Sequence, residues 1–368
     1  MILTVAGVII LFLALLRFAV ALINMISRPY LPMQYDSGNK LPSLSVLIPV
    51  RNEEDKIGTL LRSLATLSYD NAEIIVYDDA STDNSASVIG EYAKDDNRIS
   101  YIRGTDLPEG WTGKNHACHR LASVAKGDYL LFIDADVTAG NDLFRRAVSY
   151  SLKHRLTLLS IFPGQEMVTT GEKIAVPFMF RILLSLLPLF LIRRCRWSSF
   201  SAANGQMMLF RGSDYRRCLF HERMKDRLAE DIEIMRFVKR NRLSGDTLVG
   251  SDEIRCRMYG SYGEAIRGFS KNIFSMFGNS ITFLMLFALT GLCGWIVLLF
   301  LPWYYITLYL VMIISLNMMV AVTSRQRVSE NLTFLLPGIA AFYHIAFLAA
   351  RAAYSGNHEW KGRKLKGK

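Results

Sequence analysis

Several features that would direct a reading elsewhere are missing from this chain. Its five cysteines, Cys118, Cys195, Cys218, Cys256 and Cys293, contain no C-x-x-C pair and are odd in number. That argues against a disulfide framework or a structural zinc site and fits reduced thiols in a cytoplasmic domain. No Gly-x-Gly-x-x-Gly follows the first strand-like run, and no Gly-x-x-x-x-Gly-Lys-Ser/Thr occurs anywhere. The two commonest glycine-rich phosphate cradles are therefore absent, which weakens a dehydrogenase or P-loop reading. There is no internal repeat and no low-complexity tract. Acidic residues are the scarcer sign of charge, 32 against 43 basic ones, for a net charge of +11.

What is abundant is apolar sequence, 51% of the 368 residues, and it comes in blocks. Residues 2–26 carry no charge but Arg17. The block is too long for a signal-peptide core and lacks a basic start, so an anchor is expected. Residues 281–301 and 303–322 form two further spans around Pro302. Residues 334–354 form a third C-terminal candidate, interrupted by Pro337, His344 and Arg351. Residues 174–197 are apolar but broken by Pro177, Arg181 and Pro188, which suits short helices lying in a membrane interface better than a span. The basic clusters at Arg193, Arg194 and Arg196, at 236–242 and in the tail 361–368 lie beside these blocks. Anionic lipid is thus their expected partner rather than nucleic acid.

Between the blocks the pattern changes to short apolar runs alternating with amphipathic segments. Strands are expected at 44–50, 73–77, 99–103 and from Tyr129, with helices near 56–67, 85–93 and 116–125. This βαβ alternation predicts an α/β fold with a mainly parallel sheet. Acidic signatures close two of the strands: Asp78-Asp79 after the second, Asp134-Ala135-Asp136 after the fourth. Ligands of such sheets sit outside the carboxyl ends of strands, and paired carboxylates there are hard oxygen ligands suited to Mg²⁺ or Mn²⁺. Lys114, within Gly110-Trp111-Thr112-Gly113-Lys114-Asn115, is read either as a phosphate contact or as a surface lysine on a loop. Asp231 is read either as a functional carboxylate or as one favoured by a helix N-terminus.

In combination and order, these motifs resemble family 2 glycosyltransferases of the GT-A fold over roughly 44–272. The Gly110–Ala117 and Phe132–Thr138 runs, with Glu359-Trp360-Lys361-Gly362-Arg363, are most similar to membrane-bound carotenoid glycosyltransferases of the diaponeurosporenoate and hydroxychlorobactene types. The resemblance implies that Asp78 and Asp79 contact the uracil–ribose end of the donor and that Lys114 and Asp134 lie by the nucleotide sugar. It further implies that Asp136 binds the divalent ion, Mg²⁺ or Mn²⁺, and that Asp231 is the catalytic base. Asn204 and Gly205 would line the acceptor or donor side. The Gln-x-x-Arg-Trp run of processive family members is missing; residues 265–272 occupy that stretch, which argues against a polysaccharide synthase.

The expected layout is an anchor at 1–27 and a linker at 28–43. A GT-A domain follows at 44–278, with interfacial helices about 172–197. A C-terminal membrane region of two to three segments occupies 279–356, and a basic tail 357–368. The expected activity is inverting transfer of a hexose, glucose foremost, from a UDP-sugar to a hydrophobic lipid of the carotenoid or terpenoid class. The enzyme would sit in the cell membrane, multi-pass, with its catalytic domain cytoplasmic and a lipid acceptor beside the donor. A polyprenyl phosphate, hopanoid or glycerolipid acceptor is the enzymatic alternative. A nucleotide-sugar-binding scaffold is one non-enzymatic alternative, and the acidic pairs with a base at Asp231 argue against it, since binding alone needs none. A transporter is the other, and only His344 and Arg351 supply the mid-membrane polar positions it would need.

Overall fold

The computed structural model describes residues 1–33, 41–292, 294–355, 358–360 and 363–365. Part of the expected linker, Cys293 and, in the tail, Lys361, Gly362, Lys366 and Lys368 lie outside them. The chain divides into two compact units. One comprises Met1–Pro29, Met167–Leu191 and Met258–Gly356; the other comprises Tyr30–Glu166, Ile192–Arg257 and Asn357–Lys368.

The second unit is built on a sheet of seven strands. In chain order its strands, with those of a smaller sheet, are β1 (Leu44–Val50), β2 (Ala72–Asp78), β3 (Ile99–Arg103), β4 (Tyr129–Ile133), β5 (Val137–Ala139), β6 (Leu158–Phe162), β7 (Gly164–Gln165), β8 (Met207–Arg211), β9 (Gly245–Val249) and β10 (Ile254–Cys256). The large sheet runs β3-β2-β1-β4-β8-β6-β9. Every neighbouring pair is parallel except those made by β8. All five residues of β4 and of β6 are buried, as expected of strands covered on both faces. β5, β7 and β10 make the smaller sheet, with Cys256 opposite Val137. The apolar run at Tyr129 therefore ends at Ile133. Asp134 to Asp136 form the turn that follows directly on β4 and leads into β5.

The helices Glu54–Ala65, Ser85–Asp95 and Gly113–Val124 supply the crossovers. The third starts earlier than the periodicity predicts. Thr112 caps it by accepting from Asn115 N, which places Lys114 in its first turn instead of on a loop.

The first unit is helical. Helices Ile2–Ser27, Ile281–Leu298 and Trp303–Thr323 are long and apolar enough to cross a membrane, the middle one interrupted by a π-helical stretch, Phe287–Leu292. Ile10, Ala14, Leu298, Tyr309 and Met312 form a packed seam among them. Leu335–Ser355 is a further helix. The 174–197 region is not one helix: Thr170–Ala175, Phe178–Leu186 and Phe190–Arg194 follow one another, broken at Pro177 and Pro188 because proline cannot continue the hydrogen-bond ladder. The break at Pro188 is sewn up by Asn24. Its Nδ2 donates to the Leu184 and Leu187 carbonyls, both at 2.9 Å, and its Oδ1 accepts from Leu189 N at 2.9 Å. Asn24 is the buried polar residue that the anchor reading passes over.

Candidate active site

Two loops at the carboxyl ends of β1 and β2 interlock. Asn52 takes a left-handed conformation, φ 52°, and its N–H donates to Ser81 Oγ at 3.0 Å while its Oδ1 accepts from Thr82 N at 2.8 Å. Glu54 and Asp83 trade bonds across the same gap: Glu54 N donates to Asp83 Oδ2, and Asn84 N to Glu54 Oε2. The run Arg51-Asn52-Glu53-Glu54 after β1 and the run Asp78-Asp79-Ala80-Ser81-Thr82-Asp83 at the end of β2 are thus joined by hydrogen bonds. Asp78 and Asp79 are both buried. Asp78 accepts from Ser81 N at 2.9 Å and from Tyr101 Oη at 3.1 Å. Asp79 faces Arg51, whose Nη1 lies 3.7 Å from its Oδ2.

The chemistry-bearing cluster lies past β4. Lys114 Nζ stands 2.8 Å from Asp134 Oδ2 and 3.5 Å from Glu230 Oε1, and it donates to the Gly205 carbonyl at 3.5 Å. The N–H of the same Gly205 donates to Asp231 Oδ2 at 2.9 Å. One glycine residue is thus gripped at its carbonyl by a cation and at its N–H by a carboxylate. A Cβ on Gly205 would fall 2.9 Å from Lys114 Nζ and 3.2 Å from Glu230 Oε1, so a side chain here would displace the Lys114 head. Asn204 sits one residue earlier, buried, with its amide committed: Nδ2 donates to Gln206 Oε1 at 3.2 Å and Oδ1 accepts from Gln206 N at 2.8 Å.

Asp231 lies in the first turn of the helix Glu230–Arg240. The segment leading to it is latched by the Gly-Trp-Thr-Gly-Lys-Asn motif. Asn115 Nδ2 donates to the Met224 and Arg227 carbonyls at 2.6 and 3.0 Å, and Thr112 N to that of Lys225 at 2.7 Å. Gly110 turns the chain there at φ 80°, a conformation glycine adopts without penalty.

The electrostatics follow from burial. Burial raises the Asp231 carboxyl, against the opposing hydrogen bonds from Ile232 N and Gly205 N. Glu230 is pushed up to about 7, by burial first, with Lys114 pulling it down and Asp231 raising it. Burial works against the Lys114 ammonium, but Asp134 and Glu230 outweigh it and hold its pKa well above the ordinary amine value. Lys114 is therefore a fixed positive charge at neutral pH.

Asp136 is the outlier. Its Oδ1 is buried without a hydrogen-bond partner, and burial, then the Asp134 charge, push the carboxyl up to about 6. Buried polar atoms are rarely left so, and a bare carboxylate oxygen beside a second carboxylate suits a hard divalent cation. Among the described residues no group of three His, Cys, Asp or Glu side chains could hold a metal. The remaining ligands would come from a substrate's phosphates, as is usual for Mg²⁺. Cys256, nearby, is driven up by burial and by the Asp136 charge and stays a thiol.

The structure brings Lys114, Asp134, Gly205 and Asp231 together, with Asp136 two residues from Asp134, and Asp78 and Asp79 at the end of β2. Sequence reasoning gives Glu230 no role; its position directly before Asp231 is the available signal, and its part in the site depends on its contact with Lys114.

Residues 45–218 match the model of glycosyl transferase family 2. Over 255 residues the chain is 28% identical to a protein of Staphylococcus haemolyticus (strain JCSC1435) called 4,4'-diaponeurosporenoate glycosyltransferase, a match covering 68% of this chain and 66% of that one. A protein of the same name from Staphylococcus aureus (strain bovine RF122 / ET3-1) is 36% identical over 124 residues, 33% of this chain and 32% of the relative. The matches thus span less than two thirds of these relatives' lengths. In fold, the chain is similar to the mannosyltransferase PcManGT of Pyrobaculum calidifontis, solved with GDP-Man and Mn²⁺. The TM-score is 0.55 at 16% identity, covering 96% of this chain and 100% of that one.

Proposed function

We propose that this chain, whose residues 45–218 match the family 2 glycosyl transferase model, is a glycosyltransferase that moves a hexose, glucose foremost, from a UDP-sugar to a hydrophobic lipid of the carotenoid-acid type. The observation that carries the reading is the Lys114–Gly205–Asp231 grip, with Asp134 on Lys114. It holds a fixed cation and a buried carboxylate about one glycine. The name of the Staphylococcus relatives supports the acceptor class.

The residues divide the work by charge. Lys114 places a permanent positive charge where a departing diphosphate gains negative charge, inside a site whose groups need not reorganise. Asp231 accepts the proton of an attacking hydroxyl. A carboxylic acid acceptor is already ionised at neutral pH, its ordinary pKa lying at about 4, and for it Asp231 acts by orienting. Asp136, with Asp134, would hold a divalent ion, which when bound supplies counter-charge to the diphosphate. The Mn²⁺ of the fold relative is in keeping with that. Asp78 and Asp79 would face the uracil–ribose end, and Asn204 would contribute by fixing Gly205. The transfer is a single displacement with inversion.

Three helices long and apolar enough to span support a multi-pass membrane enzyme with its sheet unit in the cytoplasm, where nucleotide sugars are made.

The experiment is transfer by the purified protein in detergent with Mn²⁺, offering UDP-glucose or GDP-mannose with a C30 carotenoid acid, its methyl ester or a polyprenyl phosphate. Mass spectrometry should find a hexosyl ester from UDP-glucose and the acid only. Hexosyl polyprenyl phosphate as the main product would replace the acceptor assignment.

A further inference from the structure

The helical unit holds a cluster of polar groups that sugar transfer does not use. Arg181, on the helix Phe178–Leu186, donates from Nη2 to the Asn331 carbonyl at 3.1 Å. Asn331 Nδ2 in turn donates to Gln326 Oε1 at 3.0 Å. On these three residues, Arg181 Nε, Gln326 Nε2 and Asn331 Oδ1 are buried and have no hydrogen-bond partner. Asn331 is 1% exposed and Gln326 8%. Two donors and one acceptor left open beside a full positive charge are costly unless something fills them.

Nothing negative among the described residues pairs with Arg181. Glu330, next to Asn331, is engaged by Lys173 at 2.9 Å and Arg327 at 3.4 Å. A second guanidinium is close: Arg17 donates to Ser185 Oγ at 3.4 Å, one helical turn from Arg181. Burial and then the Arg17 charge pull Arg181 down to about 10. Room for the Arg181 head is made by Gly338, where a Cβ would stand 2.5 Å from Nη1. The cluster lies at the end of the apolar helix Trp303–Thr323, Gln326 being three residues beyond it. That is headgroup level if the helix spans.

We propose that this cluster binds the headgroup of an anionic glycerophospholipid. Its phosphate would lie against Arg181 and the Gln326 amide, and a headgroup hydroxyl would donate to Asn331 Oδ1. A phosphate offers a guanidinium charge-assisted hydrogen bonds, and basic pockets between membrane helices are where anionic headgroups dock. A lipid fits better than a free phosphate because the neighbouring elements are apolar helices. The inference rests on the membrane placement proposed above; a protein that stays soluble and monodisperse without detergent would remove that placement, separately from the test below.

The test is native mass spectrometry of the full chain in detergent, with phosphatidylglycerol or phosphatidylcholine at equal concentration. Phosphatidylglycerol should be retained at least tenfold better. Arg181→Gln should reduce its retention at least fivefold. So should Gly338→Ala, which removes no charge but displaces the guanidinium, and which serves if the arginine variant does not fold. Equal retention of the two lipids by the wild type overturns the proposal. So does undiminished phosphatidylglycerol retention by both variants, and so does its displacement by an equal concentration of free glycerol 1-phosphate.

Discussion

At Asp231 the expected effect is a split between binding and turnover. Asp231→Asn keeps a side-chain oxygen for the Gly205 N–H and removes the proton acceptor. Donor affinity by calorimetry should stay near wild type, while turnover with the carotenoid acid, which Asp231 orients, falls by up to about 10²-fold. Lost donor affinity with unchanged turnover would make Asp231 a binding residue. At Asp136 the prediction concerns pH. Its carboxyl titrates at about 6 when folded, raised from 3.8 by burial and Asp134. The folded chain therefore holds this proton more tightly than the unfolded one. In the absence of metal, this group's contribution favours folding below pH 4 and is lost as pH rises through 6. A bound cation needs the ionised form, so Mn²⁺ affinity should be flat above pH 6 and fall about tenfold per unit below it. Asp136→Asn should abolish that slope; an unchanged slope in the variant would move the metal elsewhere. The acidic positions were legible because paired carboxylates at strand ends have few packing explanations. Glu230 and Asn115 were not, since their roles depend on contacts with Lys114 and with the carbonyls before Asp231, far away in sequence.

The elements that carry the site were mostly legible, and the exceptions have local causes. Strands β1 to β4 follow from apolar runs bounded by polar turns. The Gly113–Val124 helix was placed too late because Gly113 and Asn115 are weak helix formers, whereas the Thr112 cap offsets that by satisfying a free N–H. β8 was harder to anticipate: Met207–Arg211 runs against its neighbours, and nothing in a single apolar strand states its direction. Its approach is what presents Gly205 to Lys114. Gly205→Ala should therefore push the Lys114 head away, raising the donor KM about tenfold and costing about 1–3 kcal/mol of stability, the usual range for overpacking. Thermal denaturation alongside kinetics checks both, and an unaltered KM would mean that Lys114 does not serve the donor.

For the whole molecule, alternation of strand and helix announced the α/β unit, and hydropathy announced the apolar helices. Pro177 and Pro188 marked the breaks in the 174–197 stretch, but what satisfies the backbone at Pro188 was not legible, because it comes from Asn24, some 160 residues earlier. The account as a whole depends on one direct displacement, with Asp231 on the acceptor and Lys114 on the leaving diphosphate. The most direct measurement of it is the anomeric configuration of the first-formed product, by proton NMR, starting from α-linked UDP-glucose. The account predicts a β-glucosyl product, with the large coupling between axial anomeric and C2 protons. An α-glucosyl product would mean net retention at the anomeric carbon and would contradict it.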